Sequence, residues 1–165
     1  FLEMPIPKYK RLYPGGPECR LKGAYLITCT GCEKDENGNV TEIHCTYDPA
    51  SKGGNSPDGR KVKGTIHWVS AEYGKQVTVR LYENIVNEEL GVYNEDGSLN
   101  LNPNSLTVLD NCIVEPELMN AKAYDSFQFV RNGYFVCDLK DSEEGKPVFN
   151  RIVSLKSSFK LPTAK

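Results

Sequence analysis

"GAYLITCTGCEKDENGNVTEIHCTYD", residues 23–48, decides the fold class. Two runs rich in apolar and β-branched residues, about 23–34 and 39–47, flank Asn37-Gly38. Asn and Gly accept the positive φ angles of a tight turn, so the stretch reads as a β-hairpin. The segment after it, "PASKGGNSPDGRK" at 49–61, is dense in Gly, Pro, Ser and Asp and reads as a loop. In "GRKVKGTIHWVS", 59–70, Val62, Gly64, Ile66 and Trp68 alternate with Lys61, Lys63, Thr65 and His67. That period of two predicts a half-buried strand with Ile66 and Trp68 in the core and a basic outer face. The stretch 76–85 alternates likewise, with Val77, Val79 and Leu81 inward. Residues 86–104 read as a long polar loop, and 105–114 as a strand. Residues 125–139 form a second expected hairpin, turning at Asn132-Gly133, and 146–159 a last strand. The one helical turn expected lies within 115–124. Many short strands with regular turn signals predict an all-β barrel or sandwich.

The chain has 165 residues, 39% hydrophobic and 25% charged, within the range of globular domains. No apolar run approaches the roughly 20 residues that cross a bilayer. No signal peptide is read, and the opening at Phe1 leads us to expect a fragment of a longer protein. The net charge of −2 argues against a general nucleic-acid coat. Charge is segregated, however. Residues 1–22 carry Lys8, Lys10, Arg11, Arg20 and Lys22 against Glu3 and Glu18, a local +3. Residues 33–48 carry five acids against Lys34, a local −4. A polyanion would dock on a patch.

Cys29-x-x-Cys32 followed by His44-Cys45 has the residue types of a zinc ribbon, but the second pair is adjacent rather than spaced. Small buried or half-buried thiols in a reducing compartment are the expected reading, and no metal site is assigned. The chain has no glycine-rich phosphate loop, no GxSxG elbow and no HExxH, and only two histidines, His44 and His67. No catalytic residue is therefore assigned. The stronger signal is polar residues on strand faces. In "SFQFVR", 126–131, Phe127 and Phe129 point one way and Gln128 the other. A glutamine amide can pair bidentately with a base edge. Lys10-Arg11 and Arg20-x-Lys22 supply cations suited to phosphate or guanine.

"GRKVKGTIHWVS", "VRLYENI", "NPNSL" and "FQFVRNGYFVCDLKDSEEGKPVFNRIVSLKSSF", in that order, strongly resemble the carboxy-terminal anticodon-binding region of bacterial-type glutaminyl-tRNA synthetases. "KRL", "RLKGAYLI" and "EKDENGNVTEIHCTYD" extend the resemblance over residues 8–160. It implies two ribosomal-protein-like β-barrels: a complete distal barrel over 12–112 and a partial proximal barrel over 1–11 and 113–165. It implies a cytoplasmic class I ligase that uses ATP and magnesium. The catalytic domain would lie upstream in the same chain, and this region would bind no cofactor, DNA or membrane. The partner implied is the anticodon loop of glutamine tRNA. Residue by residue, Lys10 and Arg11 match a pair at the third anticodon base, and Arg20 an arginine at the anticodon loop. Lys22 replaces an arginine at the first base. Gln128 matches a glutamine at the central uracil, Val130 replaces a supporting glutamate, and Arg131 matches an arginine near that pocket. The alternatives are a glutamyl-tRNA synthetase of archaeal and eukaryotic type, or a stand-alone RNA-binding barrel.

Overall fold

The computed structural model describes residues 1–87 and 90–155. The chain divides into two compact units, Phe1–Trp68 and one beginning at Val69. Each holds one sheet. The first unit has β1 (Cys19–Leu21), β2 (Leu26–Lys34), β3 (Val40–Asp48) and β4 (Gly64–Ile66), in the order β3-β2-β1-β4. The second has β5 (Lys75–Tyr82), β6 (Leu106–Val114), β7 (Ser126–Phe129), β8 (Gly133–Cys137) and β9 (Val148–Ser154), in the order β6-β5-β9-β8-β7. Among the described residues the helical elements are two 3₁₀ turns, Pro49–Ser51 and Pro116–Asn120, the second inside the expected helical turn. The all-β expectation holds. The part of the expected last strand beyond Leu155 lies outside the described residues.

The β2–β3 hairpin forms where expected, with one difference in its turn. Gly38 alone takes a positive φ, 82°, while the Asp35 side chain does the rest. Its Oδ1 accepts from the N–H groups of Asn37 and Asn39 at 2.9 and 2.8 Å. A carboxylate that binds its own turn replaces the second positive φ. The second hairpin turns one residue early. Val130, Arg131 and Asn132 form its loop, Arg131 takes φ 67°, and Gly133 already pairs in β8.

Trp68 is not a core residue. It is 43% exposed, and its indole N–H donates to the Lys22 carbonyl at 3.0 Å. The strand that should have carried it inward is only three residues long. It leaves the sheet at Ile66, itself half-buried, so the alternation has no meaning past that point. The core of the first unit is instead Cys19, Leu26, Ile27 and Cys29. Buried Ser51 seats the loop on it, accepting from the Leu26 N–H at 2.8 Å and donating to the Asp48 carbonyl at 2.6 Å. In the second unit Val77, Val79, Val114, Phe135, Cys137 and Phe149 form the core, with Phe127 and Phe129 packed on it. β5 and β6 pair into the sheet of β9, across the boundary expected at residue 112.

Candidate nucleic-acid interface

In the first unit the candidate cations gather around β1. β1 runs antiparallel to β2 and parallel to β4, with Arg20 opposite Thr65. The segment carrying Lys10 and Arg11 lies against this sheet because position 64 is glycine. A Cβ there would stand 2.2 Å from the Lys10 carbonyl oxygen and 2.9 Å from Cys19 Sγ. The Cys19 thiol donates to that same carbonyl at 3.5 Å. Lys10 and Arg11 are exposed, and neither makes an ion pair among the described residues. Lys10, Lys61 and Lys63 line one cleft of about 390 Å³ with Pro17, Glu18 and Gly64. The sequence pattern gave no reason to group Lys10 with the two other lysines, which are more than fifty positions away.

Arg20 is partly committed inside the protein. Its Nε–H donates to the Gly54 carbonyl and its Nη1 to Thr65 Oγ1 at 3.4 Å. Gly54 has φ 87°, and a Cβ there would crowd the Arg20 Cδ at 3.2 Å. The guanidinium has further donors to offer, and the stem holds the loop. Lys22, just past β1, is exposed, and among the described residues it binds through its backbone alone: its N–H donates to the Ile66 carbonyl at 3.0 Å.

Arg60, in the basic stretch 59–63, is fully engaged. Its guanidinium binds both oxygens of Glu18 at 2.7 and 2.8 Å, Asp48 at 2.6 Å and Asp58 at 2.8 Å. Hydrogen bonding from Arg60 holds the Glu18 and Asp48 carboxyls below their ordinary values. The Arg60 backbone N–H, then its guanidinium, does the same for Asp58. A lowered folded-state pKa stabilises the fold above the ordinary carboxyl range, and that contribution is lost as pH falls through the folded values. Arg60→Met is therefore expected to lower the melting temperature at neutral pH. The gap from wild type should narrow on acidification below about pH 4. Thermal melts across pH check this, and an equal gap at neutral and strongly acid pH would mean that Arg60 acts by packing alone.

In the second unit Gln128 lies on β7, an edge strand held by its aromatic neighbours. Phe127 meets Phe149 edge-on at 5.8 Å, and Phe129 stacks on Phe135 at 4.4 Å. With both phenylalanines drawn inward, Gln128 is exposed, as the alternation required. Its amide has no hydrogen-bond partner among the described residues. Directly across the ladder stands exposed Tyr134, which places an amide and an aromatic ring side by side on one face. The sequence reading missed Tyr134, although a correctly placed turn would have set that register. Arg131 is at the hairpin tip, past the end of β7, exposed and in the left-handed region of backbone conformation. Among the described residues, no three His, Cys, Asp or Glu side chains are grouped to hold a metal ion.

The all-β scaffold thus presents unpaired cations on its first unit and an outward amide on its second. Family models described as "tRNA synthetases class I (E and Q), anti-codon binding domain" match residues 7–48 and 65–138. The chain belongs to this anticodon-binding family. It is 53% identical over its whole length to a protein named "Glutamine--tRNA ligase" from Clostridium kluyveri, covering 30% of that protein. It is 50% identical to proteins of the same name from Clostridioides difficile and Pseudomonas aeruginosa. Those alignments take in 97% and 96% of this chain and 29% of each relative. The chain thus spans about 30% of the length of the curated relatives it matches.

Proposed function

We propose that this chain is the anticodon-reading region of a glutamine–tRNA ligase, a cytoplasmic class I enzyme that joins glutamine to its tRNA with ATP and magnesium. Its catalytic domain belongs to the same polypeptide, and the region described here contributes recognition. The observation that carries the reading is Gln128, an amide presented outward by two inward phenylalanines beside an exposed tyrosine. Gln128 pairs with the central uracil while Tyr134 offers a stacking face. Arg131 meets the adjoining backbone. Lys10 and Arg11 act at the third base, with Lys61 and Lys63 drawing phosphate into the same cleft. Arg20 donates to the anticodon loop with the N–H groups that Gly54 and Thr65 leave over. Lys22 contributes charge at the first base without the planar fork of an arginine. We retain the distal and proximal barrels of the resemblance but draw their boundary between Trp68 and Val69, because β5 and β6 pair with β9.

The family takes in glutamate enzymes as well. Glutamine and glutamate tRNAs differ at the third anticodon base, guanine against cytosine. Exchanging that guanine for cytosine in glutamine tRNA should lower kcat/KM of the full-length enzyme by about tenfold or more, the scale of one good base contact. Better use of the cytosine variant would favour the glutamate reading, and equal use of both would remove the third base from the proposal. Indifference to every anticodon base would remove the anticodon from the proposal.

A further inference from the structure

We propose that Cys29 and Cys45 form a reversible dithiol–disulfide site within the first sheet, closed by thiol–disulfide exchange with a small-molecule disulfide. The two residues face each other directly on the antiparallel strands β2 and β3. All six cysteines are free thiols here.

The backbone decides whether such a pair can be joined. In an antiparallel ladder, directly opposed residues alternate between hydrogen-bonded and non-hydrogen-bonded pairs. The Cys29 carbonyl accepts from the Gly15 N–H at 3.1 Å, in the segment that leads into β1, on the edge of β2 away from β3. The Leu26 N–H points the other way, to Ser51 Oγ just beyond β3. Three positions along a strand reverse the edge, so the two bonds agree. Cys29 sends no backbone bond to Cys45. The two form a non-hydrogen-bonded pair, in which Cα atoms lie about 4.5 Å apart and side chains approach closest. That separation is inside the range a disulfide spans. A bulge follows at Cys29/Gly31, so a covalent link would fix the register where the ladder breaks.

Access is divided between the two sulfurs. Cys45 is exposed on the edge strand, whereas Cys29 is 2% exposed. The other thiols of this unit are directed elsewhere: Cys19 donates to the Lys10 carbonyl, and Cys32 meets Glu3 Oε1 at 3.8 Å. The order of steps follows. The Cys45 thiolate attacks one sulfur of oxidised glutathione, releases one glutathione and keeps the other as a mixed disulfide. The Cys29 thiolate then attacks Cys45 Sγ and releases the second glutathione. Two protein thiols are oxidised, one glutathione disulfide is reduced, and both protons leave with the glutathiones. Burial, and then the neighbouring Cys29 thiol, raises Cys45 above the ordinary cysteine value. The exchange therefore quickens as pH rises through the alkaline range.

The test uses the full-length protein, reduced and then equilibrated with glutathione from fully reduced to fully oxidised. Samples are acid-quenched, alkylated and mapped by peptide mass. The expected result is joint loss of alkylation at Cys29 and Cys45, with a cross-linked peptide, while Cys112 and Cys137 stay alkylated. Cys29→Ser should stop Cys45 at the glutathione adduct, and Cys45→Ser should leave Cys29 a thiol. Three results would overturn the proposal: both thiols surviving in fully oxidised glutathione, wild-type Cys45 ending as the adduct, or Cys29 joined to Cys19 or Cys32. Matching circular dichroism of the serine variants separates chemistry from misfolding.

Discussion

Gln128→Ala in the full-length enzyme is expected to shrink the preference for a central uracil over a central cytosine by about 5- to 150-fold. That is the 1–3 kcal/mol of a bidentate base contact. Uracil presents a ring N–H beside a carbonyl, and one amide satisfies both. Discrimination requires that the amide not rotate, because a turned amide would match cytosine equally well. Two features hold the strand: Phe127 and Phe129 anchor it on either side of Gln128, and Tyr134 borders the side chain. One feature is missing. Val130, the position where the resemblance implies a supporting glutamate, sits in the turn and supplies no carboxylate. The measurement is kcat/KM with the two tRNAs, wild type against variant. An unaltered preference would mean that the amide turns away from the base, and the Val130 position would then be the first to restore.

The largest effect on stability is expected at Phe149. It is 0% exposed on β9, the central strand of the second sheet, and its ring meets those of Phe127 and Phe129. Phe149→Ala should cost about 3–5 kcal/mol, the transfer of the ring plus the cavity left behind. Phe149→Leu, which refills most of that space, should cost less. The same phenylalanines orient β7, so the alanine variant should also blunt central-base discrimination without touching Gln128. Denaturant unfolding followed by a probe in the second unit measures the loss. A midpoint within error of wild type would mean that the core closes over the gap.

Much of the fold was legible because strands and turns write themselves locally. Alternation at Val77 and Val79, and at Phe127 and Phe129, marked inward faces that are indeed covered. The failures share a physical cause, since each depended on contacts distant in sequence. Trp68 continued a perfect alternation, but β4 ends at Ile66, and what captures the indole is a carbonyl 46 positions earlier. Nothing local marks Arg60 as an ion-pair centre either, because its partners Glu18 and Asp48 come from other parts of the chain. The site was partly legible for the same reason. Gln128 could be placed from its two neighbours, whereas the grouping of Lys10 with Lys61 and Lys63 needed a parallel pairing of β1 with β4 that no local pattern announces.

The 49–61 loop is tied at its middle, by Arg20 to Gly54, and near its end, by Arg60 to Glu18 and Asp48. The entropy of ordering it is therefore incurred when the protein folds, not when RNA arrives. On the proposed reading, an incoming anticodon loop would meet a preformed cleft, its capture governed by charge steering rather than by waiting for a loop to close. Cutting the Arg60 tie would free a loop that borders this cleft. On the proposed reading it would move the ordering cost into the binding step and slow association, so that an arginine bound to three carboxylates of its own chain would register as a kinetic determinant of recognition.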